Sequence, residues 1–204
     1  MIMKKLVLST RNQHKIKEVE AILNACLKTP VEILSLDDIE LYGEIEENGT
    51  TFEENALIKA RAAFDKSGIP SIADDSGLTV DALDGAPGIY SARYASMDGR
   101  DADDEENNKL LLKNLEDKAD RSAGYVCAIA YVDKDREFTV RGEARGRILE
   151  ERQGNGGFGY DPYFFSDDAN ACFGVISAEE KNKYSHRRRA LEAFARLWEE
   201  ENDK

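Results

Sequence analysis

Apolar residues recur at two different spacings along the 204-residue chain, and each change of spacing marks an element. Lys5-Leu6-Val7-Leu8-Ser9 is a short apolar run ended by polar Thr10 to His14, which predicts a first strand. Val19, Ile22, Leu23 and Cys26 then fall at i, i+3, i+4 and i+7, one face of a helix. Val31 to Leu36 predicts a second strand. Thr50 with Glu53 three residues on is a capping box for a helix to about Lys66, which Gly68 and Pro70 stop. Ser71 to Val80 predicts a strand interrupted at Asp74-Asp75-Ser76-Gly77, and Asp84 to Gly88 is loop. Leu111, Leu112 and Leu115 predict a helix after the acidic stretch Asp101 to Glu106. Tyr125 to Val132 and Glu137 to Ile148 are two longer strands joined at Asp133-Lys134-Asp135, a hairpin. Gly154 to Pro162 is too rich in glycine for a regular element. A last helix starts near Ser185, with Leu191, Phe194, Ala195 and Trp198 on one face. Helices alternate with strands early and a strand pair follows, so the expected class is α/β with a mixed sheet. No repeat or linker divides residues 1–204, which are expected to form a single domain.

Composition narrows the setting. At 41% hydrophobic residues the chain can build a sizeable core, and no apolar run approaches the ~20 residues of a membrane span. The opening Met1 to Lys5 leads into too short an apolar stretch for a signal-peptide core, so a cytoplasmic location is expected. Cys26, Cys127 and Cys172 lie far apart without CxxC spacing and read as buried structural thiols. A net charge of −13 argues against a general nucleic-acid binder. It also means that a phosphate ligand would need a local concentration of cations or a metal.

Four segments could supply that chemistry. Ser9-Thr10-Arg11-Asn12-Gln13-His14-Lys15 joins a strand to a helix, where backbone N–H groups and the helix dipole favour an anion. Asp74 and Asp75 sit inside a strongly apolar strand, where unpaired acids are costly. Neighbours on a strand point to opposite faces, so one of the two is expected to face a ligand as metal ligand or general base; a bulge or hydrogen-bonded turn is the plainer explanation. Glu44, Glu46 and Glu47 could add a second carboxylate for a hard cation. In Gly154 to Asp161, the glycines allow close approach of a ligand, and Phe158 and Tyr160 offer aromatic faces to a base. Lys181 to Arg189 concentrates six potential cations in nine residues at an expected helix start, where the dipole disfavours them unless an anion binds.

These segments, in this order, resemble the inosine triphosphate pyrophosphatase family, the non-standard purine NTP pyrophosphatases. The residues that carry the resemblance are Phe52-Glu53-Glu54-Asn55-Ala56, Ala73 to Leu78, Gly85 to Tyr94, Gly157 to Pro162 and Ser185-His186-Arg187. The resemblance implies a long mixed sheet with flanking helices, two lobes around a central cleft, and a homodimer. It implies that Thr10, Arg11, Asn12, Gln13, His14 and Lys15 hold the triphosphate, with Lys59 facing the phosphates and Ser76 touching the substrate. Asp75 would be the catalytic acid–base residue and would bind Mg2+ with Glu46 or Glu47. Phe158, Gly159, Tyr160, Asp161, Lys181, His186 and Arg187 would form the nucleoside pocket.

The implied activity is hydrolysis of deaminated purine nucleoside triphosphates (ITP, dITP, XTP) to the monophosphate and pyrophosphate. Lys15, Lys59 and Lys181 would stabilise the leaving pyrophosphate. Donors from Arg187 or from backbone N–H groups would select a C6 carbonyl over the adenine amino group. A pyrophosphatase of pyrimidine or modified nucleotides, and a non-catalytic nucleotide sensor, are the competing readings.

Overall fold

A computed structural model describes residues 4–96 and 102–202, without the side chains of His14, Glu201 and Asn202. The early alternation is realised as β1 (Lys4–Leu8), α1 (Gln13–Cys26), β2 (Val31–Leu34), α2 (Phe52–Ser67) and β3 (Ser71–Val80). After two 3-10 turns, Asp81–Leu83 and Gly88–Arg93, come α3 (Asp104–Asn114), β4 (Ser122–Val132) and β5 (Glu137–Ile148). A 3-10 turn at Asp161–Tyr163 leads to β6 (Phe164–Ser166), β7 (Ala171–Cys172), α4 (Ala178–Tyr184) and α5 (His186–Asn202). The seven strands form one sheet in the order β2-β1-β3-β4-β5-β6-β7. β1 runs parallel to β2 and β3, whereas β6 runs antiparallel to β5 and β7, so the sheet is mixed.

The chain divides into two compact units, and β3, β4 and β5 contribute residues to both. The first unit comprises residues 1–75, 127–142 and 187–204. Strand alternation sorts its core into two layers. Leu6 and Leu8 of β1 pack with Val19, Ile22 and Leu23 of α1 and with Leu191, Phe194 and Trp198 of α5. Val7, between them in sequence, joins Leu36 and Ala63 of α2 instead. The second unit comprises residues 76–126 and 143–186. Its core gathers Leu78 and Val80 of β3, Leu111 and Leu115 of α3, and a group of rings that includes Tyr125, Tyr160, Phe164 and Phe173.

Three expectations are corrected. The α2 cap is Thr51, one residue later than expected: its hydroxyl accepts from Glu54 N, while Glu54 accepts from Thr50 N and Oγ1. β3 is continuous through Asp74 and Asp75, because buried cations meet both carboxylates and no bulge has to expose them. The basic run is split by Ser185, whose backbone is extended. Lys181 and Lys183 thus fall in the last turn of α4, where the dipole favours cations. On α5, Arg187 and Arg188 find carboxylate partners in Asp74, Glu18 and Glu192, so no bound anion is needed to hold them there. Of the cysteines, Cys127 and Cys172 are buried as expected and Cys26 is half-buried. Among the described residues no helix is long and apolar enough to cross a membrane. The first residue of the acidic stretch, Asp101, lies outside the described residues.

Candidate active site

The first unit builds a buried charge centre on both faces of β3. On one face, Asp74 is fully buried. Arg187 Nε donates to its Oδ2 at 2.9 Å, and Lys15 from the first turn of α1 pairs with Oδ1. Arg187 also pairs with Glu18, one turn beyond Lys15 on α1, and the Cys127 thiol donates to Asp74 Oδ2 at 2.9 Å. Burial opposes the charge on Asp74, but Arg187 and Lys15 outweigh it and hold the carboxyl well below the usual range. Burial and the neighbouring Asp74 push the Cys127 thiol well up, so it stays protonated and acts as a donor.

Asp75 faces a different environment. Lys59 Nζ donates to its Oδ1 at 2.9 Å and to Glu47 Oε2 at 3.1 Å, so one buried ammonium serves two carboxylates. Asn55, one turn before Lys59 on α2, reaches Asp75 Oδ2 at 3.5 Å and accepts from Gly49 N at 2.9 Å. Burial raises the Asp75 carboxyl and Lys59 only partly offsets it, which leaves the group pushed up to about 6. Burial lowers the Lys59 ammonium, but Asp75 and Glu47 outweigh it and hold it above the ordinary lysine value. Of the two adjacent glutamates, Glu47 is the one drawn to this centre, and Glu46 is exposed. Among the described residues no group of three or more His, Cys, Asp or Glu could enclose a metal.

The strand-to-helix loop of the same unit is held by its own side chains. Thr10 Oγ1 accepts from Asn12 N at 3.2 Å, and Asn12 Oδ1 accepts from Lys15 N at 3.2 Å, which caps α1. Arg11 donates to Leu41 O at 2.5 Å, and Gln13 is exposed. The side chain of His14 lies outside the described residues. Ser9 Oγ donates to Lys59 O at 2.8 Å, tying this loop to α2.

The second unit carries the glycine loop. Asp161, fully buried at its centre, accepts from Phe158 N at 3.0 Å and from Lys181 Nζ at 2.6 Å. The Lys181 ammonium lies 4.6 Å from the Phe158 ring centroid. Gly157 has φ +73°, and a Cβ there would stand 2.1 Å from Asp161 Oδ2, so no other residue fits. His186 stacks on Tyr125 at 4.8 Å and 12°. Tyr160 is buried in the core with its hydroxyl on Ser91 O at 2.7 Å, so of the two aromatics expected to offer a face only Phe158 is half-exposed. Ser76 opens this unit on β3 and is partly exposed.

The structure thus brings Lys15 and Arg187 to Asp74, Lys59 and Glu47 to Asp75, and Phe158 and Lys181 to Asp161. Arg187 stands with the first group, among carboxylates of its own unit, rather than with Phe158. Sequence reasoning gave no role to Glu18 or Tyr125 and none beyond a buried thiol to Cys127; their partners are distant in sequence and they belong to no motif. Asn55 was visible in the Phe52–Ala56 signature, although its link to Asp75 was not.

Known proteins resemble this chain along nearly its whole length. Residues 6–197 match the model of the Ham1 family. A protein of Geobacter sulfurreducens named dITP/XTP pyrophosphatase is 48% identical over 192 residues, covering 93% of this chain and 94% of the relative. One of Bacillus licheniformis with the same name is 46% identical over 198 residues, covering 96% and 98%. The solved structure of a HAM1 protein from Coxiella burnetii superposes with a TM-score of 0.87 at 37% identity, over 97% of this chain and all of that one. The chain belongs to the Ham1 family. By class it is a nucleoside triphosphate pyrophosphatase, a hydrolase of phosphoric anhydrides.

Proposed function

We propose that this protein hydrolyses deaminated purine nucleoside triphosphates (ITP, dITP and XTP) to the monophosphate and pyrophosphate, keeping them out of DNA and RNA. The relatives' shared name supports the substrate class. The observation that carries the chemistry is Lys59 held between Asp75 and Glu47, with Asp75 pushed up to about 6. A carboxylate poised near neutrality suits a general base. Asp75 would take a proton from the attacking water as its oxygen bonds to the α-phosphorus. The α–β anhydride bond then breaks and the pyrophosphate leaves, its charge met by Lys59 and by Lys15.

The donor set fits magnesium. Asp75 and Glu47 offer hard carboxylate oxygens around one lysine, and Mg2+ commonly takes one or two carboxylates with phosphate and water completing its shell. Such an ion would polarise the phosphate oxygens and offset their charge. In this reading Glu47, rather than Glu46, joins Asp75.

The Thr10 to Lys15 loop takes the triphosphate, Ser76 touches the substrate, and the Phe158 to Asp161 loop with Lys181 and His186 takes the base. Arg187 Nε and Nη1 are engaged by Asp74 and Glu18, which puts the weight of C6-carbonyl selection on backbone N–H groups. A single two-lobed domain, a homodimer and a cytoplasmic setting belong to the same reading.

Pyrophosphate release from ITP, XTP, ATP and GTP, with magnesium and then with EDTA, tests it. Fast metal-dependent release from ITP and XTP with ATP and GTP nearly inert is the expected result. Equal rates on all four would remove the selectivity, and release that persists in EDTA would remove the metal.

A further inference from the structure

Phe158 stands between two glycines in left-handed conformation, Gly157 at φ +73° and Gly159 at φ +59°. Backbone of this kind has little preference of its own, so the pose of the ring is set by what grips the neighbouring peptides. Asp161 grips one side, accepting from Phe158 N and returning its own N–H to Phe158 O at 3.2 Å. The other side is gripped from α3. Asp104 Oδ2 accepts from Gly159 N at 2.7 Å, and Asn108 Nδ2 donates to Gly159 O at 2.9 Å. Both polar groups of a single glycine are therefore taken by two side chains four residues apart, on one face of one helix.

Helix capping accounts for neither side chain. Asp103 already caps α3, accepting from Glu105 N, so Asp104 is not needed for that duty. Asn108 is buried, and its Nδ2 is shared between Asp104 O at 2.7 Å and Gly159 O. Its Oδ1 is buried without a protein partner, a cost that an apolar residue would not incur. Its neighbour Asn107 holds a different segment, with Oδ1 accepting from Ala95 N at 2.7 Å and Nδ2 donating to Ala92 O at 3.1 Å. The two adjacent asparagines thus divide the work.

We propose that Asp104 and Asn108 are positioning residues that clamp Gly159 and thereby set the Phe158 ring for the base. The proposal rests on the reading of the Phe158 loop as the base platform. The clamp touches neither Asp75 nor Lys59, so it acts on how the nucleotide is held and selected and leaves the hydrolytic step alone.

The test is steady-state kinetics on ITP and GTP for Asp104→Ala, Asp104→Asn, Phe158→Ala and the double variant Asp104→Ala/Phe158→Ala, with melting curves to confirm folding. Loss of a charge-assisted hydrogen bond should raise KM for ITP roughly tenfold in Asp104→Ala with kcat within about threefold, and should narrow the ITP-over-GTP preference. Asp104→Asn, which keeps an acceptor oxygen, should recover most of it. In the Phe158→Ala background Asp104→Ala should add almost nothing, since the clamp works through that ring. Glu105→Ala breaks the neighbouring pairs with Arg152 at 3.2 Å and Lys109 at 3.8 Å, neither of which touches Gly159, and should leave KM unchanged.

An unchanged KM in folded Asp104→Ala, additive effects in the double variant, or an equal loss in Glu105→Ala would each overturn the clamp. If Phe158→Ala itself leaves KM and selectivity untouched, the base-platform reading falls, which separates the two failures. Asn108→Ala, being buried, is secondary: Asp104→Ala, at an exposed position, decides the matter even if that variant does not fold.

Discussion

Each unit buries a lysine against an aspartate, but the two pairs are balanced differently. In the second unit, Lys181 pairs with Asp161, and the carboxylate also accepts from the backbone N–H of Phe158. In the first unit, one lysine faces two carboxylates, and Asp75 is raised to about 6 rather than lowered. Its sequence neighbour Asp74 sharpens the contrast: with two cations it is held well below the usual range, although burial opposes both groups alike. A buried carboxylate matched by cations is scaffold, whereas one left in excess has capacity for a proton or a metal. The difference separates the centre suited to chemistry from the centre suited to holding a loop.

Asp75→Asn should break the first centre functionally and hardly at all structurally. Turnover on ITP should fall by about 10²–10⁴-fold, the usual worth of a positioned general base, while nucleotide binding by calorimetry changes only a few-fold. Turnover close to that of the parent protein would remove Asp75 from the mechanism.

Asp161→Ala should do the reverse. It removes a carboxylate from the buried Lys181 ammonium and should cost about 3–5 kcal/mol of stability, seen as a lower denaturant midpoint. If that variant is as stable as the parent and merely slow, Asp161 is chemical rather than architectural, and the comparison fails.

The smallest effect concerns pH. In metal-free protein the folded Asp75 holds its proton more tightly than the unfolded chain does, since its value lies above the ordinary 3.8 of an aspartate. Stability from this group is therefore absent at high pH and grows as pH falls through about 6. Between pH 7.5 and 5.5 the parent should gain a few degrees of melting temperature relative to Asp75→Asn. An identical pH response in the two proteins would mean that the carboxyl is not raised.

Much of the fold was legible because it is written in local spacing. The buried face of α5 follows from a period of 3.6, the alternation of β5 from a period of 2, and β4 from a continuous apolar run, all of which neighbouring residues alone define. The α2 cap was missed by one residue, since Thr50 and Thr51 are adjacent hydroxyls with a glutamate three residues beyond each. The interruption expected in β3 failed for a longer-range reason. Acids in an apolar strand argue for a break unless cations arrive, and the cations come from Lys15, Lys59 and Arg187 on three different helices.

The same division runs through the site. Residue types, their order and their family were determined by the sequence itself, because motifs such as Ala73 to Leu78 and Gly157 to Pro162 are contiguous. Only the tertiary structure decided that Glu47 rather than Glu46 meets Lys59, that Arg187 serves Asp74, that Tyr160 belongs to the core, and that α3 holds Gly159. Each depends on a partner between 12 and 113 residues away, and on how far burial at that spot raises the cost of an unmatched charge. Spacing along a chain carries no information about either.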